Sequence, residues 1–139
     1  MIAEDIMTRD PLTVTEATSI GEALTTLNEE GIRHLPVVRG GDVVGILSDR
    51  DFASIHGAVT GDEQSFDTLK ARLNQPVSAL MTGGVVTVDA DSELTEIIDL
   101  MLDEKLSAVP VVETATQRLL GIVSYVDVLR AARPLFEDA

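Results

Sequence analysis

The 139-residue chain contains no cysteine and no tryptophan, and only one tyrosine and three phenylalanines. Without cysteine it has no disulfide, no thiolate metal site and no cysteine nucleophile. Aromatic residues make up 3% of the chain, too few for the stacking platforms that bind single-stranded nucleic acid. The two histidines, His34 and His56, do not form a metal-ligand spacing. The sequence therefore predicts no metal site.

Positive charge is also scarce, because 10 lysines and arginines stand against 24 acidic residues and give a net charge of −14. The acidity is spread over both halves of the chain and would repel a phosphate backbone, so nucleic-acid binding is not expected. No apolar run approaches the roughly 20 residues of a membrane span. The first residues, Met1–Asp5, lack the basic and apolar regions of a secretory signal. We therefore expect a cytoplasmic protein with no membrane partner.

An internal repeat is the most informative feature that the sequence does contain. Three blocks recur 74 residues apart and a fourth recurs 76 residues apart, where the turn between two strands is two residues longer in the second copy. The matching blocks are Asp5–Thr8 with Ala79–Thr82, Leu12–Val14 with Val86–Val88, Arg33–Val38 with Ser107–Val112, and Val44–Ser48 with Leu120–Ser124. Two homologous units follow from this repeat.

Each unit is predicted to fold in the order β-α-β-β-α, which makes an α/β protein. In the first copy Ser19 and Glu22 have the spacing of a helix-capping box, and Gly31 is placed to end that helix in a left-handed conformation. Lys105 stands at the matching position in the second copy. The predicted boundaries are residues 1–58 for the first repeat, 59–75 for a linker and 76–139 for the second repeat. Within the linker, Phe66, Leu69 and Leu73 have the spacing of one helix face.

Catalytic chemistry has little support in the sequence. No nucleophile stands beside a general base, and there is no Gly-x-x-x-x-Gly-Lys phosphate loop. The glycine pairs Gly40-Gly41 and Gly83-Gly84 fit turns. We predict no catalytic residue, no enzyme activity and no required cofactor.

The repeated blocks resemble a tandem pair of cystathionine-β-synthase-type (CBS) domains, a Bateman module of the stand-alone kind. The resemblance covers nearly everything outside the linker. The residues that carry it are Ile6–Thr8 and Leu80–Thr82, the strands His34–Val38 and Ala108–Val112, and the segments Gly45–Asp51 and Gly121–Asp127.

This resemblance implies two small three-stranded sheets packed back to back with helices outside, and a ligand cleft on each side between the repeats. It also implies binding of an adenosine-containing ligand, such as AMP, ADP, ATP or S-adenosylmethionine, and regulation of a partner protein that no motif identifies. Whether magnesium accompanies a nucleotide stays open. The adenine wall would follow Ile32–Pro36 and Leu106–Pro110, and the implied contacts include Thr13, Arg33, His34, Pro36, Thr87, Ser107, Ala108 and Pro110.

The strongest candidate sites are Ser48-x-x-Asp51 and Ser124-x-x-Asp127, each placed where a strand turns into a helix. Unpaired backbone N–H groups at a helix start suit a phosphate, and an ionised carboxylate can accept from two vicinal ribose hydroxyls. The same pattern also fits a plain capping box. Likewise, Arg50 is either a phosphate contact or a surface charge, and His34 is either a ligand contact or a strand-edge residue.

Two functions of different classes remain open: a ligand-sensing regulatory module, and a ligand-free scaffold that dimerises and docks a partner. The two sites are expected to be unequal, because only the first motif contains an arginine, Arg50. A homodimer is also expected, with Leu129, Ala132 and Leu135 as candidate interface residues.

Overall fold

A computed structural model describes residues 1–56 and 63–137. Its secondary structure confirms the predicted repeat of strands and helices. The elements before residue 57 are α1 (Ala3–Ile6), β1 (Thr8–Arg9), β2 (Val14–Thr15), α2 (Ile20–Glu30), β3 (His34–Arg39), β4 (Asp42–Ser48) and α3 (Asp49–His56). Those after residue 62 are α4 (Glu63–Leu73), a 3₁₀ turn (Val77–Ala79), β5 (Val88–Asp89), α5 (Leu94–Asp103), β6 (Ala108–Val112), β7 (Leu119–Ser124), α6 (Tyr125–Ala132) and a 3₁₀ turn (Arg133–Phe136).

The chain divides into two compact units. Each unit contains most of one repeat together with the first segment of the other repeat. The first-repeat unit comprises Leu12–Gly40 and Val44–Val85, and the second-repeat unit comprises Met1–Pro11, Gly41–Val43 and Val86–Ala139. The predicted repeat boundaries follow the order of the sequence and stay a prediction.

The first-repeat unit is built on a sheet of order β2-β3-β4, in which β2 and β3 are parallel. Its core includes Leu35 and Val37 of β3, Leu27 of α2 and Phe52 of α3, and Val77 from the start of the second repeat completes it. The Val77 N–H donates to the Thr18 carbonyl at 2.8 Å, which anchors that segment. Removing such apolar side chains from water supplies about 1.5–3 kcal/mol each.

The second-repeat unit has a four-stranded sheet of order β1-β7-β6-β5. The expected three-stranded sheet gains a strand because Thr8 and Arg9 pair antiparallel with Ile122 and Gly121 of β7. The core contains Ile97, Val109, Val111 and Val123. Ala3 of the first segment packs into this core, as Val77 packs into the core of the first-repeat unit. The Ala3 N–H donates to the Ser92 carbonyl at 2.8 Å.

Glycines in β4 and β7 let the exchanged segments lie directly on the sheets. A Cβ at Gly121 would lie 2.6 Å from Met7 Sδ and 2.7 Å from the Thr8 carbonyl oxygen. A Cβ at Gly45 would lie 2.6 Å from Met81 Sδ and 3.1 Å from the Thr82 carbonyl oxygen. At Gly121 the Cβ would meet backbone closer than 3.0 Å, so β7 needs glycine at this position. At Gly45 the backbone contact is tight but longer, and the closest atom belongs to the flexible Met81 side chain, so the constraint on β4 is weaker.

The helix ends follow the sequence signals closely. Ser19 Oγ accepts from the Glu22 N–H at 3.1 Å, and Gly31 ends α2 with φ 62° and ψ 32°. Lys105 takes the left-handed conformation too, with φ 55°. The linker helix predicted from Phe66, Leu69 and Leu73 is α4, and its two leucines pack on the first-repeat core. Phe66 is instead 51% exposed. Residues 57–62, which include the first four residues of the predicted linker, lie outside the described residues.

Candidate functional site

In the first-repeat unit the turn from β4 into α3 is closed by Ser48 and Asp51. The Ser48 N–H donates to Asp51 Oδ2 at 2.8 Å, and Ser48 Oγ donates to the same oxygen at 3.3 Å. The Asp49 N–H donates to the Arg33 carbonyl at 2.9 Å, which fixes the start of β3 beside the start of α3. The fold therefore brings Arg33 and the adjoining His34 to the Ser-x-x-Asp turn.

The second-repeat unit repeats this geometry almost bond for bond. The Ser124 N–H and Ser124 Oγ donate to Asp127 Oδ2 at 2.9 and 3.1 Å, and the Asp127 N–H donates back to Ser124 Oγ at 3.3 Å. The Tyr125 N–H donates to the Ser107 carbonyl at 3.0 Å, and Ala108 pairs with Ser124 across the two strands. Ser107 and Ala108 therefore lie beside this turn.

Both motifs form cap hydrogen bonds between the serine and the aspartate, and the capping box is complete at Ser124 and Asp127. A carboxylate has two oxygens and about four acceptor positions, and the cap bonds of each aspartate fall on Oδ2. The cap also holds each carboxylate in one orientation. An acceptor that is already ordered loses less conformational entropy when a ligand hydroxyl reaches it.

The remaining predicted contacts differ in their exposure to solvent. Arg50 and Thr13 are exposed, and Thr87 is half-buried. Thr13 and Thr87 each stand one residue before a parallel pair, Val14 with Val37 and Val88 with Val111.

Two of the predicted contacts lie inside the sheets. Pro36 is fully buried, and Pro110 is buried in the middle of β6. Neither proline offers open surface within its unit.

A groove of about 440 Å³ opens beside the first turn, between the end of α2 and α3. Ile32 and Arg33 of the predicted adenine wall line it, together with Asp49 and Phe52. Ser48 and Asp51 do not line it, so the groove lies next to the turn but does not include the two residues of the first motif.

One ion pair near the second turn was missed from the sequence. Arg130 Nη1 lies 3.5 Å from Asp127 Oδ1, the carboxylate oxygen that the cap does not use. The signal that could have found it is the three-residue spacing of opposite charges on α6, because residues three apart on a helix are neighbours.

A surface ion pair lies at the other end of β3 in the first-repeat unit. The Arg39 guanidinium donates to both carboxylate oxygens of Glu16, at 2.7 and 2.9 Å. These hydrogen bonds hold the pKa of Glu16 below its usual value and raise that of Arg39. The pair orders the strand end and takes no part in the turn at Ser48.

Among residues 1–56 and 63–137, no group of histidine, aspartate and glutamate side chains could hold a metal ion. No helix in the same ranges has the length and apolar character that a membrane crossing requires.

Comparison with known sequences identifies the repeats. The profile of the CBS domain family matches residues 3–56 and 77–134. The uncharacterized protein MJ1225 of Methanocaldococcus jannaschii is 32% identical over 126 residues, which are 86% of this chain and 45% of that protein. The chain spans less than half the length of the first curated relatives that it matches.

Solved structures agree with the sequence match. CBSX2 of Arabidopsis thaliana, crystallised in complex with AMP, superposes with a TM-score of 0.80 at 27% identity, covering 98% of each chain. The CBS domain pair of protein MJ0100, in complex with 5′-methylthioadenosine and S-adenosyl-L-methionine, also gives 0.80, at 28% identity over 97% of this chain and 98% of that chain. With two profile matches in tandem and this fold, the chain belongs to the CBS domain family and contains a pair of its repeats.

Proposed function

We propose that the chain is a regulatory module that binds an adenosine-containing ligand at the Ser-x-x-Asp turn of each repeat. The observation that carries the proposal is the duplicated turn, in which a capped and oriented aspartate stands in the first turn of a helix that directly follows a strand. The relatives crystallised with AMP and with S-adenosyl-L-methionine support the same class of ligand.

Each part of the turn has a different role toward such a ligand. The aspartate oxygen outside the cap bonds would accept from a ribose hydroxyl. The first N–H groups of α3 and α6, together with the helix dipole, favour a phosphate or carboxylate. In the first repeat, the exposed guanidinium of Arg50 adds a cation next to that helix start. The strand start at Arg33 and His34, or at Ser107 and Ala108, would lie along the base.

A ligand-binding screen tests this proposal directly. Thermal unfolding is followed with AMP, ADP, ATP or S-adenosylmethionine, and at 100 times its dissociation constant a bound ligand should add about 2.7 kcal/mol. For a chain of this length, that corresponds to a rise in Tm of several degrees. A double variant, Asp51→Asn with Asp127→Asn, serves as the control that keeps a side-chain acceptor for the caps. If none of the four ligands raises Tm at millimolar concentration, the ligand-free scaffold becomes the better interpretation.

We also propose that the module is a homodimer. Leu129 and Leu135 are 63% and 81% exposed, and Leu102 and Phe136 of the same unit are 70% and 84% exposed. Large apolar side chains grouped on one unit mark an interaction surface. Charge favours a second copy of this chain, because α5 carries Glu96, Asp99 and Asp103 whereas α6 carries Arg130 directly after Leu129. An isologous interface can bring such opposite charges together twice.

Light scattering at micromolar concentration tests the dimer. We expect twice the 14.9 kDa mass of the chain, and we expect Leu129→Asp to return the protein to monomer because it places a charge in the interface. Glu137→Gln at the same end of the chain is the control and should leave the mass unchanged. A monomer mass for the unmodified chain contradicts the proposal.

A further inference from the structure

The second turn contains a competitor for its own ribose acceptor. Asp127 uses Oδ2 for the cap, and its Oδ1 lies 3.5 Å from Arg130 Nη1. The side chain of Asp127 is 10% exposed, whereas that of Arg130 is 74% exposed. A ligand hydroxyl that approaches Asp127 therefore meets an oxygen already shared with a guanidinium that can move away into solvent.

We infer that Arg130 competes with the ribose hydroxyls for Asp127 Oδ1 and thereby makes the second site weaker than it would be without Arg130, and sensitive to ionic strength. The inference rests on the proposed function, since it concerns the same adenosine-binding turn. A neutral nucleoside gains a hydrogen bond to Oδ1 only by displacing or sharing the ion pair. Its observed affinity is reduced by the fraction of molecules in which Arg130 occupies the carboxylate.

The first repeat carries a different residue at the position of Arg130. The sequence position that matches Arg130 in the first copy is Ser54. Serine carries no charge, so the first turn cannot form this ion pair through that position. This effect is independent of Arg50. Arg50 would change the affinity of the first site for phosphate, whereas Arg130 would change the affinity of the second site for ribose.

The size of the effect follows from the exposure of the pair. Exposed ion pairs contribute about 0.2–1 kcal/mol, so removing the competitor should strengthen nucleoside binding by about 1.5- to 5-fold. Salt gives a second signature. At about 1 M salt the Debye length is about 3 Å, shorter than the 3.5 Å separation of the charged atoms, so the competition weakens. Affinity for an uncharged ligand should then rise with salt.

The experiment is calorimetric titration of the full chain with adenosine, which is uncharged at pH 7. Asp51→Asn is introduced first so that the second site dominates the signal. In this background we expect Arg130→Ser to bind adenosine about 1.5- to 5-fold more tightly than the parent and to lose the increase with salt. Arg130→Gln should do the same while keeping the length of the side chain.

The matched control is Arg133→Ser. Arg133 forms an exposed surface pair with Glu137 at 3.3 Å, so its removal changes the net charge equally without touching Asp127. It should leave both the affinity and the salt dependence unchanged. In an Asp127→Asn background, where only the first site reports, Arg130→Ser should have no effect.

The possible failures are distinguishable. If adenosine ligands bind neither the unmodified chain nor Arg130→Ser, the proposed function is wrong. If adenosine binds at Asp127 but Arg130→Ser leaves its affinity unchanged or lower, the binding function stands and the competition is refuted. An equal change in Arg133→Ser would also refute it, because the effect would then come from net charge.

Discussion

Replacing Asp51 by asparagine separates its two roles, because the amide keeps one oxygen and loses the charge. In the folded chain Asp51 Oδ2 accepts from Ser48 N–H at 2.8 Å and from Ser48 Oγ at 3.3 Å. The asparagine oxygen can take both bonds. Its NH₂ group then stands where the other carboxylate oxygen was and cannot accept from a ribose hydroxyl.

The magnitudes differ for folding and for binding. Asp51→Asn weakens charge-assisted cap bonds and the interaction with the helix dipole, at a cost of about 1 kcal/mol. Asp51→Ala removes the acceptor and leaves the half-buried Ser48 N–H without it, at a cost of about 2 kcal/mol. For the ligand, both variants lose a charge-assisted hydrogen bond of about 1.5–3 kcal/mol, which is roughly a ten- to hundredfold loss of affinity at the first site.

Two measurements on each variant check this reasoning. Thermal unfolding without ligand should lower Tm by about 4 °C for Asp51→Asn and by about twice that for Asp51→Ala. Calorimetry with adenosine and with AMP should show the same loss of the tighter site in both variants. If Asp51→Asn binds like the unmodified chain, the carboxylate is a cap and nothing more. If affinity instead falls in proportion to stability, the binding loss comes from unfolding of the turn.

Three further predictions follow from the contacts. Gly121→Ala should lower the free energy of unfolding by about 2–3 kcal/mol, and Gly45→Ala should lower it by about 1–2 kcal/mol. The reason is that the new Cβ meets a backbone oxygen at 2.7 Å in the first case and at 3.1 Å in the second. Equal denaturant midpoints for the two variants would contradict this. Arg50→Ala should weaken ATP roughly tenfold and adenosine hardly at all, since only the phosphate offers the guanidinium a charged partner; equal losses in calorimetry would remove its phosphate role. Lys105→Gly should raise stability by about 0.5–1 kcal/mol in chemical denaturation, because φ is 55° there and glycine adopts that region without strain; a loss of stability would mean that the lysine side chain contributes more than its backbone costs.

The sequence by itself determined the repeat, the order of elements and the position of both turns. Ser19 and Gly31 predicted the ends of α2, and the structure confirms both. Such signals are readable because a cap or a left-handed residue acts within one helical turn, so its partners are neighbours in sequence. The CBS resemblance, drawn from blocks of the same local kind, is confirmed by the family match.

Tertiary structure decided which repeat each segment packs against. Nothing local assigns Met7 to Gly121 or Val77 to the core of the first repeat, since both repeats offer nearly the same apolar strand. Lys105 is left-handed although lysine does not favour that conformation, because the chain must turn from α5 into β6 there. Long-range packing selects among local alternatives of similar energy, so these contacts required the folded chain.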